Sequence, residues 1–173
     1  MTCGSRAAPV WLYATAAAAY LADRVTKVLV ERTLGGEPPF EIVRGVLAFN
    51  YTTNSGGAFG IGRSAPWLFA GATIVVSSVI VFLSFRLHRL PVAVALGLVL
   101  GGAMGNLTDR AMNGPGLSGH VVDFIDLMVW PVFNLADTAI VVGALLLALA
   151  TAGHEERDES ARPGGLGERP GEP

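Results

Sequence analysis

The sequence predicts an all-α integral membrane protein with four transmembrane helices and a small extracytoplasmic β-containing segment between the first two helices. Hydrophobic residues make up 51% of the 173-residue chain, whereas charged residues make up only 15%. Four apolar stretches each approach the ~20 residues that a helix needs to cross a bilayer core of about 30 Å. Segments rich in polar residues, glycine or proline separate these stretches.

The first predicted helix covers residues 10–30. Arg6 and the alanine-rich run after it are typical of a cleavable signal peptide. Asp23 and Lys27 lie inside the run, however, and apolar residues continue to Val30. We therefore expect a helix that is retained in the protein.

Three further helices are predicted, at residues 65–85, 91–107 and 131–152. The short link between the second and third helices carries Arg86 and Arg89. Positive charges in short loops favour the cytoplasmic side of a membrane. We therefore expect both termini in the cytoplasm, with segments 31–64 and 108–130 outside.

The outer segment 31–64 and the C-terminal end differ from the helical stretches in composition. The outer segment contains short alternating or β-branched runs, Pro38-Pro39 and a glycine-rich turn, a pattern that predicts a small sheet at the membrane surface. Residues 153–173 are acidic and rich in proline and glycine, so they are expected to form a disordered cytoplasmic tail. Residues 1–152 then form a single membrane domain.

Charge and cysteine content argue against several kinds of partner. Residues 1–152 contain nine basic and eight acidic residues, which gives no strongly basic surface for nucleic acid. The single Cys3 excludes an internal disulfide and a multi-cysteine metal site. A metal site built from His120, Asp123 and Asp126 is a weaker alternative, so we expect neither a metal nor a cofactor.

Ionisable residues within the apolar stretches are the candidate functional residues, because a charge in a bilayer is costly. Asp23 and Lys27 are four residues apart and share one helical face. They form either a self-neutralising ion pair or part of a polar site. Asn106, Asp109 and Arg110 share a face at the outer end of the third helix.

A second group of carboxylates precedes and begins the fourth helix. Asp123 and Asp137 flank a short segment with Pro131, which could fold back and bring them together. Paired carboxylates in a partly dry site tend to share one proton. One can then act as a base on water while the other polarises a scissile carbonyl. Asp126 competes for this role, but HVVDFIDL alternates like a strand, which would direct Asp123 and Asp126 to opposite faces.

Two other functions use the same residues differently. A proton- or ion-conducting protein would place Asp23, Asp109 and Asp137 at graded depths as a relay. Most of these acids instead cluster at the outer side of the predicted helices, which favours a surface site. A purely structural four-helix adaptor does not need so many polar motifs.

Five polar motifs occur in order along the chain: DRVTK at 23–27, NSGGAFG at 54–60, GNLTDR at 105–110, VVDF at 121–124 and FNLAD at 133–137. Together they resemble the motifs of the signal peptidase II family, the lipoprotein signal peptidases of bacteria. The resemblance covers about Ala22 to Gly143. Each motif alone is short, but five in order between the predicted helices form a specific pattern.

The resemblance implies an aspartic endopeptidase of the bacterial cytoplasmic membrane, with its active site near the outer surface. It implies prolipoprotein substrates whose cysteine already bears diacylglycerol, cut directly before that cysteine. Membrane lipid is the other implied partner, no cofactor is implied, and we expect a monomer.

Carried over to the matching positions, the resemblance implies that Asp123 and Asp137 are the catalytic pair. Asp109 is the main rival for the second catalytic role, because it is another outer-end aspartate within a motif. The positions implied to shape the site or bind substrate are Asp23, Lys27, Asn54, Gly56, Asn106, Asp109, Arg110, Asn134 and Ala136.

Overall fold

A computed structural model describes residues 7–56 and 65–160 as four α-helices and one small β-sheet. A 3-10 turn, Pro115–Leu117, precedes the last strand. In chain order the elements are α1 (Ala7–Leu34), β1 (Phe40–Val43), β2 (Leu47–Asn54), α2 (Pro66–Ser84), α3 (Leu90–Met112), β3 (Val121–Asp126) and α4 (Leu135–Ser160). The mostly helical architecture agrees with the predicted class.

Within the described ranges, three helical stretches are long and apolar enough to cross a membrane: Pro66–Ser84, Leu90–Met112 and Leu135–Ala152. Helix α1 has 28 residues, which is sufficient length, but it carries five charged residues between Asp23 and Arg32. By composition alone, α1 is therefore not a fourth candidate span.

The fourth helix is displaced from its predicted position at both ends. It begins at Leu135 rather than at 131, because Phe133 pairs with Ile125 of β3 in an isolated bridge. It continues to Ser160, into the segment that was expected to be a disordered tail. That segment is rich in glutamate and arginine, which favour helices, and the rest of the tail lies outside the described residues.

The sheet is antiparallel in the order β1-β2-β3. The hairpin of β1 and β2 confirms the strands predicted between the first two helices. The third strand, β3, comes from the connection between α3 and α4, where HVVDFIDL alternates as a strand does. In the β2–β3 register, Thr52 lies opposite Asp123, and this pairing brings the end of β2 to the functional residues.

Helix α3 packs closely against both α1 and α4, because glycines without side chains lie where the helices cross. A Cβ at Gly101 would collide with the backbone of Ala16 in α1, and a Cβ at Gly102 with that of Ala136 in α4. Such close helix approach is typical of small residues in membrane proteins. An apolar core that includes Leu12 and Leu100 joins α1 to α3. The sheet and the polar residues lie at the end where α1 and α3 finish and α4 begins.

Candidate active site

The first turn of α4 is closed by a reciprocal pair of hydrogen bonds between Asn134 and Asp137. The backbone N–H of Asp137 donates to Oδ1 of Asn134 at 2.9 Å, and the backbone N–H of Asn134 donates to Oδ2 of Asp137 at 3.4 Å. This is the geometry of a capping box, which satisfies N–H groups that have no partner within the helix. Asp137 therefore has a fixed position at the start of α4.

Asp123 lies on β3 and is almost completely buried. Its carboxylate accepts a hydrogen bond from Nδ2 of Asn54 at 3.1 Å and one from Nδ2 of Asn134 at 2.6 Å. The pKa of Asp123 is raised to about 6, mainly by burial and secondly by the negative charge of Asp137. The two amide donors and the positive charge of Lys27 act in the opposite direction. Asp123 therefore keeps its proton at a higher pH than an ordinary carboxyl does.

Asn106 connects the second carboxylate to a buried cation. Its Nδ2 donates to Oδ1 of Asp137 at 2.8 Å. Its Oδ1 accepts hydrogen bonds from Nζ of Lys27 at 3.0 Å and from Nδ2 of Asn134 at 3.2 Å. Because Lys27 can only donate, it determines which end of the Asn106 amide faces Asp137.

Lys27 also forms two ion pairs, both almost completely buried, one within α1 and one that joins α1 to α3. Its Nζ lies 2.9 Å from Oδ2 of Asp23 and 2.8 Å from Oδ2 of Asp109. Arg24 forms a further ion pair with Asp109. The local ion pair of Asp23 and Lys27 is thus part of a larger polar cluster.

Asp23 supports the start of α4 from a different helix. Its Oδ1 accepts a hydrogen bond from the backbone N–H of Ala136 at 3.0 Å. Gly105 of α3 faces this carboxylate so closely that a Cβ there would collide with it. The motif residues Asp23, Gly105 and Ala136 thus meet at one crossing of three helices.

The two rival aspartates have other partners. Oδ2 of Asp109 accepts the backbone N–H of Val122 at 3.2 Å, in addition to its ion pairs. Asp126 accepts hydrogen bonds from Nδ2 of Asn50 at 3.2 Å and from the backbone N–H of Met128 at 2.8 Å. Neither aspartate is among the described residues that line the cavity.

A cavity of about 490 Å³ lies beside Asp123 and Asp137, and both residues line it. Its remaining polar wall includes Asn54, Gly56, Thr73, Asn106 and Arg110. Its apolar wall comes mainly from α2, α3, α4 and the chain before α4, and includes Phe69, Val76, Ala103, Ile140 and Phe133. The sequence motifs contain the polar residues of this wall other than Thr73. No motif contains Phe69, whose aromatic side chain is not distinctive within an apolar helix.

Residues 57–60, the second half of the NSGGAFG motif, lie outside the described residues. Among the described residues, no group of three or more His, Cys, Asp or Glu side chains could hold a metal ion. The alternative site formed by His120, Asp123 and Asp126 is thus not assembled.

Comparison with known proteins identifies relatives over most of the chain. The family model described as signal peptidase (SPase) II matches residues 15–152. A lipoprotein signal peptidase of Streptomyces coelicolor is 47% identical over 139 residues, covering 80% of this chain and 68% of the relative. One from Mycobacterium avium is 41% identical over 142 residues, covering 80% and 76%.

Two solved structures, both of bacterial membrane enzymes determined by the in meso method, share the fold. The one at 2.3 Å resolution is 27% identical with a TM-score of 0.73, and the alignment covers 91% of this chain and 94% of the other. The one at 1.9 Å resolution is 30% identical with a TM-score of 0.69, covering 81% and 91%. Because the family match includes the sheet, the cavity and both carboxylates, the chain belongs to the signal peptidase II family.

Proposed function

We propose that this chain is an aspartic endopeptidase of the bacterial cytoplasmic membrane that removes signal peptides from diacylglyceryl-modified prolipoproteins, directly before the lipidated cysteine. One observation carries the catalytic assignment: Asp123 and Asp137 line the same cavity and are both hydrogen-bonded to Asn134. The relatives named above are lipoprotein signal peptidases, and they give no support to the proton- or ion-conducting alternative.

The proposed mechanism assigns a different role to each carboxyl group. The raised pKa of Asp123 makes it the group that holds the shared proton, so it donates a hydrogen bond to the scissile carbonyl oxygen. Asp137 then accepts a proton from a water molecule as the water oxygen attacks the carbonyl carbon. In the collapse of the tetrahedral intermediate, the C–N bond breaks and the proton passes from Asp137 to the departing amine.

The surrounding asparagines keep both carboxyl groups in position for this chemistry. Asn54 and Asn134 each donate to a different oxygen of Asp123, and Asn106 donates to Asp137. A carboxyl oxygen that accepts one hydrogen bond has a further lone pair for the substrate or the shared proton. The amides therefore fix the geometry without occupying the reacting positions.

We further propose that α1 is a fourth membrane-spanning helix. Three of its charged residues are compensated, because Asp23, Arg24 and Lys27 belong to the ion-pair cluster with α3. Burial of charges in paired form within a bundle reduces the cost of placing them in a membrane. The objection to α1 from composition is therefore weakened by its contacts.

The proposed orientation places both termini and the α2–α3 link in the cytoplasm. That link contains Arg86 and Arg89, which favour the cytoplasmic side. The sheet and the cavity lie at the opposite end, near the end of α3 and the start of α4. Water can reach carboxylates at that outer boundary more easily than at the membrane centre.

The apolar part of the cavity suits a substrate that remains in the bilayer. Buried methylene groups contribute about 0.8 kcal/mol each, so two acyl chains supply substantial binding energy.

The test uses the purified full-length chain in lipid nanodiscs. It is incubated with a diacylglyceryl prolipoprotein and with the unlipidated form, and mass spectrometry locates the cut. We expect cleavage of the lipidated substrate alone, insensitive to metal chelators and serine-protease inhibitors. Asp123→Asn and Asp137→Asn should abolish cleavage, whereas the matched variant Asp126→Asn should retain it. Full activity in either of the first two variants would contradict the assigned pair.

A further inference from the structure

The guanidinium group of Arg110 lines the cavity but is weakly held by hydrogen bonds. Nη1 donates to the backbone oxygen of Asn106 at 3.4 Å, and Nη2 donates to that of Gly56 at 3.3 Å. Both distances are long for N–H···O bonds. Arg110 is 6% exposed, and its Nε–H has no hydrogen-bond partner in the part of the chain that the structure describes.

Carboxylates act on this guanidinium only through longer-range attraction, from Asp137, Asp123 and Asp109. In the described ranges, the ion pairs join only α1 residues with each other or with Asp109, and none includes Arg110. An arginine side chain has several rotatable bonds, so a guanidinium held only by long hydrogen bonds does not present its N–H groups in a fixed direction. Some other contact has to restrict this group.

Phe69 of α2 provides that contact. The guanidinium carbon of Arg110 lies 5.8 Å from the centroid of the Phe69 ring, within the ~6 Å range of a cation–π interaction. Phe69 also lines the cavity. The ring thus contacts the guanidinium while leaving its Nε–H available, because the aromatic face does not require a particular N–H.

We propose that Phe69 is a positioning residue that holds the Arg110 guanidinium so that its Nε–H donates to a backbone carbonyl oxygen of the substrate. The identity of this acceptor rests on the proposed function, since an endopeptidase presents an extended peptide to its cavity. The positioning itself depends only on the two side chains. Phe69 then affects substrate binding, whereas Asp123 and Asp137 carry out the chemistry.

The chain contains a matched control on the same helix. The guanidinium carbon of Arg86 lies 5.7 Å from the ring centroid of Phe82, so a second phenylalanine of α2 forms an arginine pair with a similar distance. Neither residue lines the cavity. Replacing Phe82 therefore removes a similar interaction from α2 without a change at the site.

The first measurement compares KM and kcat for the lipidated substrate with the full chain in nanodiscs. Phe69→Leu should raise KM about 5- to 30-fold, with kcat and its pH profile unchanged. Phe69→Trp should restore KM, and Phe82→Leu should leave it unchanged. In an Arg110→Met background, Phe69→Leu should have no further effect. An unchanged KM in Phe69→Leu, or an equal increase in Phe82→Leu, would overturn the proposal.

The second measurement does not depend on activity. Nuclear magnetic resonance of the ¹⁵N-arginine-labelled chain in micelles observes the Arg110 Nε–H, assigned by its loss in Arg110→Met. Phe69→Leu should shift this resonance and accelerate its exchange with solvent, whereas Phe82→Leu should not. An unchanged resonance in Phe69→Leu would overturn the proposal. If the wild-type chain does not cleave lipidated substrate, the proposed function fails, and this measurement still decides whether Phe69 positions Arg110.

Discussion

Asn134 and Asp123 are joined by a 2.6 Å hydrogen bond from the amide nitrogen of Asn134 to the carboxylate. The oxygen of the same amide accepts the backbone N–H of Asp137. One completely buried side chain therefore connects β3 to the first turn of α4. The amide oxygen of Asn134 caps the helix, and its nitrogen donates to the carboxylate of Asp123. Substitutions can therefore separate helix capping from support of the carboxylate.

Asn134→Ser should separate activity from helix capping. Serine caps a helix about as well as asparagine does, but its hydroxyl cannot also replace the amide donor to Asp123. Loss of this donor leaves a buried carboxyl oxygen of Asp123 unsatisfied, which costs about 1–3 kcal/mol and weakens the positioning of Asp123, so kcat/KM should fall about 5- to 100-fold. Asn134→Ala should lose similar activity and be about 1 kcal/mol less stable than Asn134→Ser in thermal unfolding. Full activity in Asn134→Ser would contradict the role of the amide donor.

The pH dependence of kcat/KM should report the proton on Asp123. Below pH 6 Asp123 holds its proton, because burial and Asp137 raise its pKa to about 6. The proposed mechanism needs that proton, so kcat/KM should decrease as the pH rises through this value. The hydrogen bond from Asn54 lowers the pKa of Asp123. Asn54→Ala should therefore raise this pKa and move the alkaline limb to higher pH.

A matched control for this shift lies on the same strand. Nδ2 of Asn50 donates a hydrogen bond to Asp126 at 3.2 Å, much as Nδ2 of Asn54 donates one to Asp123 at 3.1 Å. Asn50→Ala should leave the alkaline limb in place, since Asp126 does not line the cavity. A limb that moves equally in both variants, or to lower pH in Asn54→Ala, would contradict the assignment of the proton to Asp123.

Substitution of Asp109 should reduce stability as well as activity, whereas substitution of Asp126 should leave activity nearly unchanged. Asp109→Asn weakens a buried ion pair with Lys27 and a partly buried one with Arg24, so the free energy of unfolding should fall by about 3 kcal/mol or more, with loss of activity. Asp126→Asn affects a partly exposed residue, and its kcat/KM should stay within about threefold of wild type. Thermal unfolding, measured beside activity, separates the cases. An inactive Asp109→Asn variant with unchanged stability would identify Asp109 as a reacting carboxylate.

The polar residues of the site could be predicted because each occurs in a short local motif. The four-residue spacing of Asp23 and Lys27 indicates one helical face, and the alternation around Asp123 indicates a strand. The start of α4 could also have been predicted, because Asn134 and Asp137 have the spacing of a capping box. The apolar run that begins at Pro131 instead favoured an earlier start. The helix was consequently predicted to begin four residues too early.

Long-range contacts could not be predicted from local patterns. The hydrogen bond from Ala136 to Asp23 joins residues 113 positions apart, and the pairing of β2 with β3 joins the connection between α1 and α2 to the connection between α3 and α4. Phe69 was missed for a different reason. A phenylalanine in an apolar helix is equally compatible with lipid contact and with a place at the site, and only its position beside Arg110 distinguishes them.

Gly105→Ala should destabilise the protein strongly, because the added Cβ would collide with the carboxylate of Asp23. That carboxylate accepts the N–H of Ala136 and pairs with Lys27, so it cannot move without breaking buried polar contacts. We expect a loss of about 2–4 kcal/mol in the free energy of unfolding. Chemical denaturation in detergent micelles can measure this loss.

Gly71→Ala is the matched control for Gly105→Ala, since a Cβ at Gly71 of α2 would meet no atom within 4 Å. Alanine favours a helix more than glycine by about 1 kcal/mol, so Gly71→Ala should stabilise the protein slightly. The same substitution thus has opposite signs at two helical glycines. Equal effects at both positions would show that helix propensity alone governs them, and that Asp23 can move away from Gly105 without loss of its bond to α4.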